Sequence, residues 1–352
     1  MSDWPPFWRA FPGKSRMHFT ATSYFSPPEL ARFLQFAAAV KQGTVTSQLS
    51  GKSLGMLFFD PSLRTQTSFA VAMQQLGGHS LTLNVGHGVW GIETEDEVVM
   101  DGDKAEHVRE AAPVLSRYFD ALAIRAFPAG RSWQVDSTDP VLSGFSRHAT
   151  VPVINLESSL WHPCQALGDA LTWNELGMKR GSRVVLTWAY HPRALPLAVP
   201  RSVALIAVQR GLNLTILRPP EFALDAELGT MIKGIAAQTG ASIQESDDWG
   251  TLEGAQVVYA KSWRSLMAYQ DAEKEQKIRD QYRHWQVTED FMDRTAAASF
   301  MHCLPVRRNM VVSDQVLDSS RSVVVDQAEN RLHVQKALLL HLLGEQHKYS
   351  LP

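Results

Sequence analysis

Hydroxyl groups and a guanidinium occur together in residues 58–69, at a predicted junction between a strand and a helix. An apolar run precedes the junction, and apolar residues at helical spacing across 65–76 predict the helix. The first turn of that helix would present free backbone N–H groups, beside which Ser62, Arg64 and Thr65 add polar donors. The pattern is typical of a phosphate site, but an ordinary capped helix with a surface arginine would give the same local sequence.

Two other turns carry side chains that could act on a ligand held there. Each follows a predicted strand and contains a histidine, a cysteine and a proline: His162-Pro163-Cys164-Gln165 and His302-Cys303-Leu304-Pro305. Lone cysteines are more often buried packing residues than functional ones, so neither turn is informative alone. The phosphate-like junction also lacks the glycines and the Gly-Lys-Ser/Thr of a Walker loop, which argues against nucleotide hydrolysis.

The elements that must position these turns alternate between strand and helix. In the first half the predicted strands are 54–59, 80–84, 121–125 and 151–155, with helices at 65–76, 106–118 and 140–147. In the second half the predicted strands are 183–187, 213–217, 257–260, 299–302 and 322–325, with helices at 165–176, 197–210, 226–239 and 330–343. A Ser26-x-x-Glu29 capping box opens a further helix that ends near residue 42. The alternation predicts an α/β fold with two doubly wound parallel-sheet domains and an active-site cleft between them.

The composition bounds the class of protein. A length of 352 residues suggests two domains of roughly 150 residues each. A formal net charge of -2 favours neither nucleic acid nor an anionic membrane as a partner. Both cysteines lie in the candidate turns, so no disulfide framework is expected and a reducing cytoplasm fits.

No apolar stretch approaches the roughly 18 residues of a membrane span. Residues 1–16 lack the apolar core of a signal peptide and are predicted to be a tail.

The three turns, in this order, resemble those of the aspartate/ornithine transcarbamylase family. Members carry a Ser-Thr-Arg-Thr-type phosphate loop, a His-Pro-x-Gln turn and, in the ornithine branch, a His-Cys-Leu-Pro turn. Residues 259–263 and 329–336 further resemble the N-acetylornithine and N-succinylornithine transcarbamylases, and the similarity runs from about residue 17 to 343. The implied transcarbamylase fold has a carbamoyl-phosphate-binding domain at residues 17–158 plus 330–352 and an acylornithine-binding domain at residues 159–329. The resemblance also implies a backbone knot in the second of these domains, near residues 190–200.

The implied reaction moves a carbamoyl group from carbamoyl phosphate to an amine, which requires no metal, no cofactor and no covalent nucleophile. The enzyme must hold both substrates in attack geometry and stabilise charge on the carbonyl oxygen and the phosphate. By resemblance, Arg125, His162 and Cys303 are the catalytic residues, with Cys303 beside the acceptor amine. The residues implied to bind carbamoyl phosphate are Ser62, Leu63, Arg64, Thr65, Trp90, Arg125, His162 and Gln165.

The acceptor is indicated by the strand that ends in Tyr259-Ala260-Lys261. Ordinary ornithine transcarbamylases present an aspartate and a Ser-Met-Gly turn after the corresponding strand. A lysine would repel a free α-ammonium and suits a carboxylate, so an N-acylated ornithine is the expected acceptor. The residues carried over to its site are Glu157, Lys261, Cys303, Leu304, Arg307 and Arg331.

Departures from the acetylornithine members address the acyl group. Those members have a glutamate at the position aligned with Ala105 and a lysine at the position aligned with Val311. The small or apolar residues found here leave room for a larger, anionic acyl chain. N-succinyl-L-ornithine is therefore the expected acceptor, in arginine biosynthesis, and N-acetyl-L-ornithine is the alternative. Gln66 also replaces an arginine that many members have, which leaves Arg64 intact but changes a possible subunit contact.

A homotrimer with shared active sites is the assembly that the resemblance implies. Trp90 resembles the tryptophan that this branch inserts into a neighbouring subunit's phosphate site, and the acidic residues of 93–103 are otherwise typical of a solvated loop. Two rival functions share the alternating pattern. A nicotinamide-dependent dehydrogenase would need a Gly-x-Gly-x-x-Gly turn, which the first strand lacks. A catalytically dead assembly protein would have lost the site residues that this chain retains.

Overall fold

The first half of the chain forms a parallel sheet flanked by helices. The computed structural model describes residues 17–43 and 48–344, so the predicted tail lies outside the described residues. The elements of the first half are α1 (Pro27–Lys41), β1 (Ser53–Phe58), α2 (Leu63–Gln75), β2 (His79–Asn84), β3 (Gly91–Glu93), β4 (Lys104–His107), α3 (Val108–Tyr118), β5 (Ala121–Arg125), α4 (Trp133–Asp136), α5 (Pro140–His148) and β6 (Val153–Glu157). Four strands pair in the order β2-β1-β5-β6, and β3 and β4 pair separately.

The second half repeats the arrangement with five strands. Its elements are α6 (Pro163–Glu175), β7 (Arg183–Trp188), α7 (Ala198–Gln209), β8 (Asn213–Leu217), α8 (Ala226–Thr239), β9 (Ile243–Ser246), β10 (Val257–Lys261), α9 (Ala272–Asp280), α10 (Glu289–Met292), β11 (Ser299–Met301), α11 (Asp314–Leu317) and α12 (Val324–Leu343). The strand order is β11-β10-β7-β8-β9, and every pairing is parallel. The predicted α/β fold with parallel sheets is confirmed, whereas the knot near 190–200 stays a prediction.

Local signals explain where several helices begin. The Ser26 hydroxyl accepts from the Glu29 backbone, and the Glu29 carboxylate accepts from the Ser26 backbone, so the predicted capping box is present. Helix α2 begins after Ser62, whose hydroxyl accepts from the backbone N–H of Thr65. The turn at residues 62–65, which we call the phosphate turn, therefore has the helix N-terminus that its sequence predicts.

The structure differs from the predicted elements at several points. Residues 322–325 are not a strand, because α12 begins at Val324. The three consecutive valines 323–325 favour a strand locally, but the packing of the helix overrides that preference. Strand β9 was not predicted, since its sequence Ile-Gln-Glu-Ser is polar and lies at the sheet edge. The acidic segment 93–103 is not only a loop, since β3 reaches Glu93 and pairs with β4 just beyond the segment.

Helix α12 returns to the first half and closes the core. It packs against α1, α2 and α6. At this junction Lys41 Nζ donates to Glu175 Oε1 and to Asn330 Oδ1, each at 2.8 Å. Among the described residues, no helix is both long enough and apolar enough to span a membrane.

Candidate active site

The strand ends bring the predicted turns to one edge of each sheet. In the first sheet Phe58 pairs with Arg125, and Arg125 pairs with Glu157, so β1, β5 and β6 end side by side. In the second sheet Lys261, the last residue of β10, pairs with Trp188 of β7. Ligands of parallel α/β sheets bind at this carboxyl edge. The candidate site therefore lies at the carboxyl edges of the two sheets, which is the position expected for a ligand site in this topology.

The phosphate turn presents Arg64 toward the other two motifs. Thr65 is fully buried and Ser62 is half-buried at the helix start, whereas the Leu63 side chain is 79% exposed, so Leu63 offers only its backbone there. Burial lowers the pKa of the Arg64 guanidinium, and Cys303, Arg125 and Glu157 also act on it electrostatically. The turn thus lies beside the end of β5 and the turn that contains Cys303.

A buried charged cluster joins Arg125, Glu157 and His162. Arg125 Nη1 donates to Glu157 Oε2, and the same oxygen lies 3.5 Å from His162 Nε2. Burial opposes ionisation of Glu157, but Arg125, His162 and Lys261 act the other way, and its pKa is lowered overall. Burial lowers the pKa of His162 to about 3. At neutral pH the cluster therefore contains a carboxylate and an uncharged imidazole.

Gln165 is oriented by residues below the site. Its Nε2 donates to Asp169 Oδ1 at 2.8 Å, and Gln327 Nε2 donates to the same oxygen at 2.6 Å. Gln327 Oε1 in turn accepts from the backbone N–H of His302 at 3.0 Å. Burial raises the pKa of Asp169 to about 7. The bond from Nε2 orients the amide, and Gln165 Oε1, which has no partner among the described residues, can accept from a ligand N–H.

Several buried polar atoms in this cluster have no hydrogen-bond partner among the described residues. Buried polar groups in folded proteins are nearly always satisfied, so a concentration of exceptions indicates a place for a ligand. The atoms are Arg64 Nε, Arg125 Nε, His162 Nδ1, Gln165 Oε1 and Arg331 Nε. Most are donors, which suits an anion.

Arg331 lies on the phosphate side in this structure. Its Nη2 donates to Thr65 Oγ1 at 2.6 Å, and the side chain is buried against α6. A Cβ on Gly168 would lie 3.0 Å from Arg331 Cγ, so glycine permits this close packing. Its predicted contact with the acceptor stays a prediction.

Lys261 and Cys303, which with Leu304 are predicted to contact the acceptor, lie close enough to act on each other electrostatically. Burial raises the pKa of the Cys303 thiol, and the nearby Lys261 ammonium acts in the opposite direction. The thiol is therefore protonated at neutral pH, which does not suit a nucleophile. Leu304 has a φ of 54°, a left-handed conformation rarely adopted by leucine, and its N–H donates to His302 Nδ1. Arg307 is exposed and donates from Nε to His191 Nε2 at 3.1 Å.

Three predicted residues lie apart from this cluster within the chain. The Trp90 side chain is 60% exposed, and its Nε1 donates to Glu106 Oε2 at 2.7 Å. Ala105 is exposed on β4, whereas Val311 is 2% exposed and packs in the main core. The structure therefore does not present Ala105 and Val311 as two walls of an open pocket in one chain.

The sequence analysis missed the supporting residues Asp169, Gln327 and His191. Asp169 lies one helical turn after Gln165, so the i to i+4 spacing on a predicted helix was a signal that could have been used. Gln327 and His191 come from distant segments with no local pattern that marks them.

The arrangement as a whole is positively charged. The cationic side chains Arg64, Arg125, Lys261 and Arg331 surround the carboxylate of Glu157. Such a site favours anionic ligands and disfavours an additional ammonium group.

Comparisons with known proteins agree with this geometry. Residues 17–175 match the carbamoyl-P binding domain of aspartate/ornithine carbamoyltransferases, and residues 198–342 match the Asp/Orn binding domain. The first match includes α6, which the predicted boundary at residue 158 leaves out; the division between domains stays a prediction. The matched domains and the relatives described below are named as carbamoyltransferases, so they do not support the dehydrogenase alternative.

Individual relatives are similar over most of their length. The N-acetylornithine carbamoyltransferase of Xanthomonas campestris pv. campestris is 44% identical over 336 residues, covering 94% of this chain and 99% of that protein. The N-succinylornithine carbamoyltransferase of Bacteroides fragilis is 37% identical over 280 residues, covering 80% and 84%.

Solved structures are also similar. They include an N-acetyl-L-ornithine transcarbamylase in which one glutamate is replaced by alanine, proline, valine or serine, each complexed with carbamyl phosphate and N-succinyl-L-norvaline. These share 44% identity and a TM-score of 0.90, covering 92% of this chain and 99% of theirs. The predicted transcarbamylase fold is thereby confirmed. This chain belongs to the aspartate/ornithine carbamoyltransferase family and is a carbamoyltransferase.

Proposed function

We propose that this chain transfers the carbamoyl group of carbamoyl phosphate to the side-chain amine of N-succinyl-L-ornithine, giving N-succinyl-L-citrulline and phosphate, in arginine biosynthesis. The observation that carries the acyl-ornithine assignment is Lys261 at the carboxyl end of β10, close enough to act electrostatically on Glu157, His162 and Cys303. A free ornithine would bring an α-ammonium toward this lysine. An acylated one brings no charge at that nitrogen.

The part of the site proposed for carbamoyl phosphate has residues suited to bind its phosphate group and its carbonyl oxygen. Ser62, Arg64 and Thr65 bind the phosphate at the start of α2, where backbone N–H groups and the helix dipole favour an anion. Arg125 binds both the phosphate and the carbonyl oxygen. The uncharged His162 donates to that oxygen as negative charge develops. Gln165 Oε1 accepts from the carbamoyl NH2 group.

Arg125 has to leave Glu157 in part when carbamoyl phosphate binds. The two side chains form an ion pair, and Arg125 Nε has no hydrogen-bond partner among the residues that the structure describes. A phosphate dianion competes with the carboxylate for the same guanidinium. Glu157 is then available to the acceptor amine.

The surrounding cations assist the acceptor amine. A lysine-like amine has a pKa near 10.4 in water, so little of it is uncharged at pH 7. Burial and nearby positive charge both lower the pKa of an amine. The nitrogen then attacks the carbamoyl carbon, the bond from that carbon to the phosphate oxygen breaks, phosphate leaves with the electron pair, and the departing phosphate accepts the proton that the nitrogen loses.

The choice of succinyl over acetyl rests chiefly on Ala105, because Val311 is buried in the main core. The Xanthomonas relative is named for N-acetylornithine, so the acetyl compound remains the second candidate. We infer that Ala105 occupies the position of the glutamate replaced in the variants that bind N-succinyl-L-norvaline. Loss of that carboxylate removes repulsion toward the free carboxylate of a succinyl group.

We further propose a homotrimer in which β4 and Trp90 complete a neighbouring subunit's site. The exposed Trp90 ring and the exposed valines 98 and 99 suit a surface covered by another chain. A dilute monomer would then be inactive. Sedimentation of a fully active monomer would refute the trimer.

An assay with four acceptors tests the proposed function. Purified protein is given carbamoyl phosphate with N-succinyl-L-ornithine, N-acetyl-L-ornithine, ornithine or aspartate, and ureido product is measured. We expect the succinyl compound to be carbamoylated much faster than the acetyl compound and the other two hardly at all. A preference for acetylornithine would refute our interpretation of Ala105 and Val311, and a preference for ornithine would refute the argument from Lys261.

A further inference from the structure

A fully buried guanidinium lies behind the acceptor side of the site. Arg279 belongs to α9 and is 0% exposed. Each of its five N–H groups has an acceptor, which is the full donor capacity of an arginine. The acceptors are Glu275 Oε2 (3.1 Å from Nε), Glu275 Oε1, Ser262 Oγ (2.9 Å from Nη1), the Trp263 carbonyl (3.2 Å from Nη2) and the His191 carbonyl (3.4 Å from Nη1).

The first set of contacts fixes the segment that follows Lys261. Arg279 holds Ser262 and Trp263, while Glu275 Oε1 accepts from the backbone N–H of Ser265 at 3.3 Å. The Glu275–Arg279 pair therefore anchors residues 262–265 at both ends. Lys261 immediately precedes this anchored segment, so its backbone has little freedom to shift.

The second set of contacts reaches Arg307 through His191. Arg279 donates to the His191 carbonyl, and the His191 ring accepts from Arg307 Nε at 3.1 Å. Burial lowers the pKa of His191 to about 4, so the ring stays uncharged and its Nε2 can accept at neutral pH. Two cationic side chains from distant segments, Lys261 and Arg307, are thus tied to one buried guanidinium.

We propose that the Glu275–Arg279 pair is a positioning device that sets the separation of Lys261 and Arg307 for the carboxylates of the acyl-ornithine. The proposal rests on the proposed function. A planar fork with five donors supports this geometry, whereas a lysine offers three donors from a single point. The Trp188 and Phe222 rings, 5.6 Å and 5.3 Å from the guanidinium carbon, pack beside it. Neither Glu275 nor Arg279 needs to touch a substrate.

The test is the separate effect of Arg279→Lys on the two substrates. We expect the KM for the preferred acceptor to rise about tenfold or more, since hydrogen bonds to a charged group are lost on the acceptor side. The KM for carbamoyl phosphate should change less than about twofold, because the donor contacts lie on α2, β5 and α6. Ser262→Ala removes a single contact with Arg279 and leaves the buried Glu275–Arg279 pair in place. It should raise the acceptor KM about threefold to tenfold.

Arg218→Lys is the matched control. Arg218 also pairs with a glutamate, Glu245, in the same half of the chain, but its contacts lie at the ends of β8 and β9. Its KM values should equal those of the unmodified protein. Equal increases in both KM values for Arg279→Lys and Ser262→Ala, or no increase in either, would overturn the positioning role.

The acceptor used is whichever of the four acceptors the unmodified protein prefers. A failure of the proposed function is seen in the unmodified protein, whereas a failure of the positioning role is seen only in the variants. If Arg279→Lys does not fold, Ser262→Ala alone decides the outcome.

Discussion

The two ends of the candidate site are built in different ways. At the predicted phosphate end, Arg64, Arg125 and His162 come together within one chain, and each has a buried polar atom without a hydrogen-bond partner in the described part of the chain. At the acyl end, Ala105 is exposed on β4 and Val311 is buried in the core. In our proposal, the strand ends and helix starts of a single subunit assemble the contacts with carbamoyl phosphate. Selection of the acyl group, in our proposal, depends on a surface that meets another subunit.

Removal of His162 should have the largest effect. In His162→Ala the turnover number should fall by about 100-fold to 1,000-fold, because a donor to the developing oxyanion is lost, while the KM for carbamoyl phosphate changes less. Since the pKa of His162 is lowered to about 3, the imidazole stays uncharged above that pH. The ratio of the two turnover numbers should therefore be constant from about pH 6 to pH 9.

His162→Asn and the exposed His79→Ala complete this experiment. The asparagine keeps an N–H donor and should recover part of the lost rate, and the surface variant should match the unmodified protein. A rate ratio that changes tenfold across the pH range would show that His162 acts by titrating.

Removal of Arg64 should have the next largest effect. This effect should be confined to the use of carbamoyl phosphate. In Arg64→Ala a charge-assisted contact with a dianion is lost, which costs on the order of 2 kcal/mol, or well over tenfold in kcat/KM for carbamoyl phosphate. Steady-state kinetics with each substrate varied in turn measures this effect. The exposed Arg32→Ala should have normal kinetics. Full activity of Arg64→Ala would refute the assignment of the turn at residues 62–65.

A carboxylate at Ala105 should act only at the acyl end. In Ala105→Glu the kcat/KM for N-succinyl-L-ornithine should fall at least about tenfold, because two like charges in a partly desolvated site repel by a few kcal/mol at an effective dielectric constant of about 20. The KM for carbamoyl phosphate should stay the same. Ala105→Gln has nearly the same size without the charge, so equal losses in both variants would assign the effect to size.

Replacement of Asp169 should change the pH dependence of the free energy of unfolding. Its pKa is raised to about 7 by burial, so the folded state holds a proton that the unfolded state has lost above its own, lower pKa. Its contribution to the free energy of unfolding is thus greatest at low pH and decreases as the pH rises toward 7. Between pH 5 and pH 8 the unmodified protein should lose on the order of 2 kcal/mol that Asp169→Asn does not lose.

Urea unfolding at the two pH values measures this difference, and Asp290→Asn, at an exposed position, is the control. Identical pH dependence in the unmodified protein and Asp169→Asn would show that Asp169 does not hold this proton.

The sequence was sufficient for features that local patterns encode. The capping box at Ser26, the strand before the phosphate turn and the junction at Arg64 follow from residue spacing and are present in the structure. Val323–Val325 misled the prediction because β-branched residues favour strands unless packing places them in a helix. Likewise, no local pattern could join Gln327 to His302, since they meet only after α12 has packed.

The most direct test of the two-ended site mixes two defective chains. One chain carries Arg64→Ala and an intact β4, and the other carries Ala105→Glu and an intact phosphate turn. Each chain alone should form trimers with little N-succinyl-L-ornithine activity. If Ala105 acts on a neighbouring subunit's site, equal mixtures dissociated and reassembled together should contain intact sites at about a quarter of positions. We predict recovery of about a quarter of the unmodified activity; a mixture no more active than its separate components would contradict the account, because Ala105 would then act within its own chain or not at all.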